Sequence, residues 1–78
     1  MAVSAYVLIQ TTVGKSTDVA REIAGLEGVI SAADASGPYD VIAKVEAETM
    51  DALGVMVVTS LQLVDGVVRT LTCPIVNL

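Results

Sequence analysis

The sequence predicts a two-layer α+β domain with the element order β-α-β-β-α-β. Three observations predict it. Four β-rich runs alternate with two stretches whose apolar residues recur at helical spacing, and glycine-containing turns separate them. The two halves also echo each other. Leu26-Glu27-Gly28-Val29-Ile30 returns 38 residues later as Val64-Asp65-Gly66-Val67-Val68, and Tyr6-Val7-Leu8-Ile9 has a looser counterpart in Tyr39-Asp40-Val41-Ile42. At 78 residues there is room for one domain.

Residues 3–11 read as the first strand, and Val13-Gly14 turns the chain. Ser16 or Thr17, with Asp18, opens a helix, since a hydroxyl or carboxylate satisfies free amides and negative charge suits the helix start. Val19, Ile23 and Leu26 form its stripe, widened by Ala20 and Ala24, and Gly25 and Gly28 bracket its end. Residues 29–36 are the second strand, Gly37-Pro38 breaks it, and a third runs from Tyr39 to Glu46. Residues 49–62 contain Val55, Val57, Val58 and Thr59, which favour strand locally. Helix is nevertheless expected, because Met50, Leu53, Val57 and Leu61 fall at helical spacing, Thr49 can cap, and the run is long for a strand. Asp65-Gly66 leads into a fourth strand, Val67 to Ile75. Pro74 near its end marks an edge position or a finished ladder.

Two split β-α-β units make a ferredoxin-like fold, a four-stranded antiparallel sheet with both helices on one face. The repeated acidic-Gly-Val step supports the register, because Gly takes the left-handed turn that leads from helix to strand. Strand faces then bear on the composition, which is 54% hydrophobic and 17% charged, with a mean hydropathy of +0.75. Val3, Ala5, Val7 and Ile9 share one face of strand 1, and Tyr6 and Leu8 the other. Strand 2 is apolar on both faces, Val29, Ala33 and Ala35 against Ile30 and Ala32. Helices cover one side only, and an exposed antiparallel face ordinarily alternates to polar residues. The expected remedy is a second copy packed sheet to sheet, a dimeric α/β barrel with two-fold symmetry.

Several functions are disfavoured by composition. Lys15, Arg21, Lys44 and Arg69 stand against nine acidic residues, a net charge of −5, which ill suits phosphate neutralisation in nucleic-acid binding. The chain has no His, and a lone Cys73 rules out an internal disulfide. The longest charge-free stretches, 1–14 and 52–64, fall short of the ~18–20 apolar residues of a membrane span. No basic segment precedes the N-terminal apolar run, as a secretory signal would require. A cytoplasmic protein that meets other protein is the expectation.

Gly37-Pro38-Tyr39-Asp40 is the most informative stretch. Asp40 could accept hydrogen bonds from a ligand ammonium, with backbone amides and Tyr39 completing a pocket. The same residues make a tight turn whose Asp bonds to turn amides and whose Tyr packs on the core, and the residues alone favour that turn. Arg69-Thr70-Leu71-Thr72-Cys73 could offer hydroxyls and an apolar wall to a neighbouring subunit, but the residues alone favour an ordinary strand with β-branched Thr at a half-buried surface. Cys73 has no sequence neighbour besides Arg69 to activate it as a nucleophile. Asp34, Asp40, Glu46 and Glu48 lack metal-loop spacing and read as solvated surface. Met50 and Met56 suit core or interface packing.

With this order and these motifs, the chain resembles the small effector-binding and oligomerisation domain of the Lrp/AsnC regulators, the RAM domain. The resemblance spans nearly the whole chain. It rests on Ala5-Tyr6-Val7-Leu8-Ile9, Leu26-Glu27-Gly28-Val29, Gly37-Pro38-Tyr39-Asp40 with Val41, Asp65-Gly66-Val67 and Arg69-Thr70-Leu71-Thr72. Full members add an N-terminal helix-turn-helix domain for which 78 residues leave no room, so DNA binding is not carried over. The resemblance implies pairing through the sheets and association of dimers into rings, commonly tetramers of dimers, with small effectors, usually amino acids, bound between dimers. It places Gly37, Tyr39 and Asp40 in the pocket, Asp40 on the ligand's ammonium. Leu71, Thr72 and Cys73 match a strand segment that responds to ligand, and Met50 is a further carry-over from helix 2. No cofactor or metal is implied. The expectation is a non-enzymatic homo-oligomer that binds an amino acid or related metabolite and can join full-length Lrp/AsnC regulators. The rivals are a small dimeric α/β-barrel enzyme of monooxygenase or isomerase type, marked by a ligand-sized cavity inside one protomer with Asp34 or Tyr6 pointing in, and a purely structural oligomer.

Overall fold

A computed structural model describes residues 2–76 of the chain. Its elements are β1 (Val3–Thr11), α1 (Ser16–Ala24), β2 (Val29–Asp34), β3 (Val41–Ala47), α2 (Met50–Thr59), a 3-10 turn (Leu61–Leu63) and β4 (Val67–Pro74). The sheet order is β2-β3-β1-β4 with every pair antiparallel. This is the ferredoxin-like arrangement expected from two interleaved β-α-β units. β4 is an edge strand, so Pro74 withholds no donor from an inner ladder.

Alternation along the strands places the core. Ala5, Val7 and Ile9 of β1 and Val41, Ala43 and Val45 of β3 are fully buried against Val19 and Ile23 of α1 and Leu53 and Val57 of α2. The other sheet face has no such cover. Opposed residues of an antiparallel pair share a face, so Tyr6 lies between Lys44 and Cys73, and Leu8 between Ile42 and Leu71. Tyr6, Ile42 and Leu71 remain 45%, 38% and 47% exposed. An apolar patch in the middle of the sheet thus meets solvent, as the strand pattern anticipated.

The two halves repeat in three dimensions. Gly28 and Gly66 both take positive φ, +87° and +99°. Each carbonyl then accepts from the strand beside it, Gly28 from the Glu46 N–H and Gly66 from the Thr12 N–H, both at 2.8 Å. The left-handed residue lets the chain reverse from helix to strand while its carbonyl stays paired.

Five local expectations need correction. Neither Ser16 nor Thr17 caps α1: Lys15 holds the cap position with no side-chain bond, and the Thr17 hydroxyl instead donates to the Asp34 carboxylate at 3.1 Å. Tertiary pairing with β2 outcompetes the local cap. Ala24 is exposed, and Leu26 lies beyond the helix, which ends at Gly25, although Leu26 still packs on the core. β2 stops at Asp34 and β3 begins at Val41, because Gly37-Pro38 breaks the pairing and residues 35–40 fold as a loop. The faces of β2 differ as well. A register shift between Val29 and Ser31 places one extra residue there, so Val29, Ala32 and Asp34 oppose Val45, Ala43 and Val41 on the helix side, while Ala33 opposes Ile42 on the bare side. A single extra residue reverses the faces that follow it. Finally, α2 ends at Thr59, and Leu61 reaches the core from the 3-10 turn, whereas Met50 at the helix start is 45% exposed rather than part of the buried stripe.

α2 itself forms against the strand preference of its valines because Leu53 and Val57 seat it on the sheet and Thr49 starts it. The Thr49 hydroxyl oxygen accepts from the Ala52 N–H at 3.1 Å. Thr49→Ala is expected to lower stability by about 1 kcal/mol, read by urea denaturation. An unchanged midpoint would show that packing alone holds the helix start.

Candidate functional site

The loop that joins β2 to β3 is built from its two ends. The Ala35 N–H donates to the Asp40 carbonyl at 2.7 Å, and the Asp40 N–H donates to the Ile9 carbonyl at 2.8 Å. The Asp40 side chain turns back across the strand: its Oδ2 accepts from the Thr11 N–H at 2.9 Å and from the Thr11 hydroxyl at 3.3 Å. Asp40 is half-buried and Thr11 is buried, so this carboxylate satisfies the last amide of β1 in a partly dry setting. The turn reading of Gly37-Pro38-Tyr39-Asp40 therefore accounts for one oxygen of Asp40. Its amide partner lies on β1 rather than within the turn. Tyr39 is half-buried beside it and Gly37 is exposed.

The seven candidate residues do not converge within one protomer. Gly37, Tyr39 and Asp40 precede β3, and Met50 follows it at the start of α2. A seven-residue strand rising about 3.4 Å per residue separates those ends by roughly 20 Å. On β4, Leu71 and Cys73 oppose Leu8 and Tyr6 on the bare face, while Thr72 opposes Val7 on the helix side. Cys73 and Thr72 are half-buried, and Cys73 is a free thiol. A single ligand could touch all of these groups only where copies of the chain meet.

The carboxylates are likewise dispersed. Asp34 accepts from Thr17, Asp40 is bound to Thr11, and Glu46 and Glu48 lie at the far end of β3. Among the described residues no three His, Cys, Asp or Glu side chains are grouped to hold a metal ion. No helix among them is long and apolar enough to cross a membrane.

A cleft of about 590 Å³ opens elsewhere, at the edge of α2. Ala52, Val55 and Met56 of α2 give it an apolar wall, and Glu27, Gly28, Glu46 and Glu48 line it as well. Sequence reasoning treated Glu46 and Glu48 as scattered surface charge, Glu27 as part of the repeated acidic-Gly-Val step and Met56 as packing. The signal that joins them is long-range: the Glu46 N–H bonds to the Gly28 carbonyl, drawing the α1–β2 turn onto the end of β3. Neither Tyr6 nor Asp34 lines this cleft, and Tyr6 points to the bare face of the sheet.

Taken together, the strand order, the helices on one face and the uncovered apolar sheet define a ferredoxin-like α+β domain whose chemistry-bearing residues are spread over separate surfaces. Residues 4–77 match the family model of the Lrp/AsnC ligand binding domain, and the chain belongs to that family. Among solved structures it is similar to TTHA0845 from Thermus thermophilus, with a TM-score of 0.89 and 28% identity over 97% of this chain and 95% of that one. It is similar as well to the hypothetical protein PHS023 from Pyrococcus horikoshii, with a TM-score of 0.86 and 27% identity over 96% of this chain and 90% of that one. E. coli AsnC shares the fold, with a TM-score of 0.87 at 21% identity, over 96% of this chain and 51% of that one. Among curated proteins nothing matches the sequence. The family match marks the chain as a ligand-binding domain of the Lrp/AsnC type.

Proposed function

We propose that this chain is a non-enzymatic module that pairs through its bare sheet face and binds an amino acid or related small metabolite where copies meet. The observation that carries the reading is the match of residues 4–77 to a ligand-binding domain. The separation of the candidate residues supports a site shared between copies, because Asp40 and Met50 stand at opposite ends of β3. Asp40 would take the ligand's ammonium through the oxygen that Thr11 leaves free, Gly37 and Tyr39 would line the same loop, and Leu71, Thr72, Cys73 and Met50 would come from neighbouring elements or copies. A ligand that binds only the assembled form stabilises that form, so effector concentration would set assembly state. Joining a full-length Lrp/AsnC regulator would then pass the signal to transcription with no DNA contact by this chain.

The test is a calorimetric titration of the twenty amino acids against the wild-type protein and Asp40→Asn. Methionine comes first, because a fold neighbour, the transcriptional regulator NMB0573 from Neisseria meningitidis, is described as an L-Met complex. Asn keeps an oxygen for the Thr11 N–H while removing the charge, so the turn survives. One amino acid is expected to bind, and Asp40→Asn to weaken it about tenfold or more, the usual scale of a lost charge-assisted bond. Heat from none of the twenty would remove the amino-acid claim, and equal binding by Asp40→Asn would remove Asp40 from the site.

A further inference from the structure

Among the described residues, the lining of the cleft carries carboxylates, those of Glu27, Glu46 and Glu48, and no basic side chain. Its apolar wall is the outward side of α2, a helix whose one charged residue is Asp51 and whose Val55 is 61% exposed. A helix apolar on its outer as well as its inner side is ordinarily covered by another element.

The complementary feature stands at the opposite end. β1 and β3 are antiparallel, with Val3 opposite Ala47 at the cleft end, so the β1–α1 turn leaves the sheet at the end away from the cleft. That turn presents Val13, 99% exposed, two residues before the exposed Lys15. It is held in shape: the Lys15 N–H donates to the Thr12 carbonyl at 3.0 Å, the Thr12 N–H donates to the Gly66 carbonyl, and the Lys15 stem lies against Gly66. A bare aliphatic side chain and a cation thus project together from a preformed turn. The cleft offers an aliphatic wall with carboxylates beside it.

We propose that the Val13–Lys15 turn of one copy docks in the Glu27/Glu48 cleft of another. Val13 lies against Val55 and Met56, and the Lys15 ammonium sits among the cleft carboxylates. Apolar contact and charge complementarity act together, the charges fixing register and the side chains supplying affinity. The contact uses neither the bare sheet face nor the Asp40 loop. It therefore links sheet-paired dimers to one another, and it rests on the assembly reading above only for the dimers that it joins.

Sedimentation velocity at low ionic strength tests it with Lys15→Glu, with Val13→Asp, with the pair Glu27→Lys and Glu48→Lys, and with the triple swap that combines this pair with Lys15→Glu. Every substitution is at the surface of the isolated chain, and circular dichroism checks folding. The wild-type protein is expected to form species larger than a dimer. Lys15→Glu, Val13→Asp and the Glu-to-Lys pair each weaken that association about tenfold or more, as like charges or a charge against an apolar wall replace the contact. The triple swap restores it, and added salt weakens it in the wild type. Large species that persist in Lys15→Glu and Val13→Asp overturn the proposal, as does failure of the triple swap to recover. A wild-type protein that stops at the dimer overturns this contact while leaving sheet pairing intact. A monomeric wild type overturns both.

Discussion

Ile42→Glu is expected to yield a folded monomer. Ile42 sits on β3 at the centre of the bare face, opposite Leu8 on one side and Ala33 on the other, and it is already 38% exposed in the isolated chain. A carboxylate there is hydrated in the monomer, so the fold loses little. In a sheet-to-sheet pair the same carboxylate is driven into an apolar contact, and two-fold symmetry brings a second one with it. An uncompensated buried charge costs several kcal/mol, so the dimer dissociation constant should rise about 100-fold or more. Leu63→Glu is the control, because Leu63 is 75% exposed in the 3-10 turn and is not one of the bare-face residues. Sedimentation equilibrium reads both. Ile42→Glu that still dimerises with wild-type affinity would place the pairing surface elsewhere.

The second large effect concerns the repeated glycines. A Cβ at Gly66 would stand 3.0 Å from Val19 Cγ2 and 3.1 Å from Lys15 Cβ, at φ +99°. Val19 is fully buried and β-branched, so it has little freedom to step aside. Lys15 Cβ is tied to the backbone of the turn. Left-handed strain of about 1–2 kcal/mol then adds to an overpacking cost of about 1–3 kcal/mol, and Gly66→Ala should lose about 2–5 kcal/mol. Gly14→Ala separates the two contributions. Gly14 has φ +83° with open space around it, so only the strain applies and about 1–2 kcal/mol is lost. Gly28 is the structural twin of Gly66, but the nearest atom to its would-be Cβ is the sulfur of Met56, which can swing away, leaving the Glu46 carbonyl at 3.2 Å. The ranking expected in urea denaturation is Gly66→Ala worst, then Gly28→Ala, then Gly14→Ala. Equal losses at Gly66 and Gly14 would show that packing at the turn contributes nothing.

These same glycines explain why the fold was legible in the sequence. The acidic-Gly-Val step occurs twice because the fold needs the same left-handed reversal twice, and each copy marks where a strand begins. Apolar spacing located α2 despite its valines, since Leu53 and Val57 define one buried side. What failed was decided by partners far away in the chain. Thr17 left the helix cap for Asp34, 17 residues on, and the extra residue in β2 became visible only once Val45 and Lys44 stood opposite. At the candidate site, a hydrogen-bonded carboxylate in a turn was legible from the place of Asp40 beside Gly37, Pro38 and Tyr39. Its partner was not: Thr11 lies 29 residues away and carries no local sign of the bond. The cleft was invisible for the same reason, because Glu27 and Glu48 come to line one space only when the Gly28 turn closes onto β3.

An apolar content of 54% is high for 78 residues, and the sheet face of Tyr6, Leu8, Ile42 and Leu71 holds part of the excess. The central claim is that this chain works as part of an assembly of its own copies. Sedimentation equilibrium of the wild-type protein over a range of micromolar concentrations tests it most directly. A mass at least twice the 8.0 kDa of the chain is expected throughout that range. A mass of one chain at every concentration would contradict it.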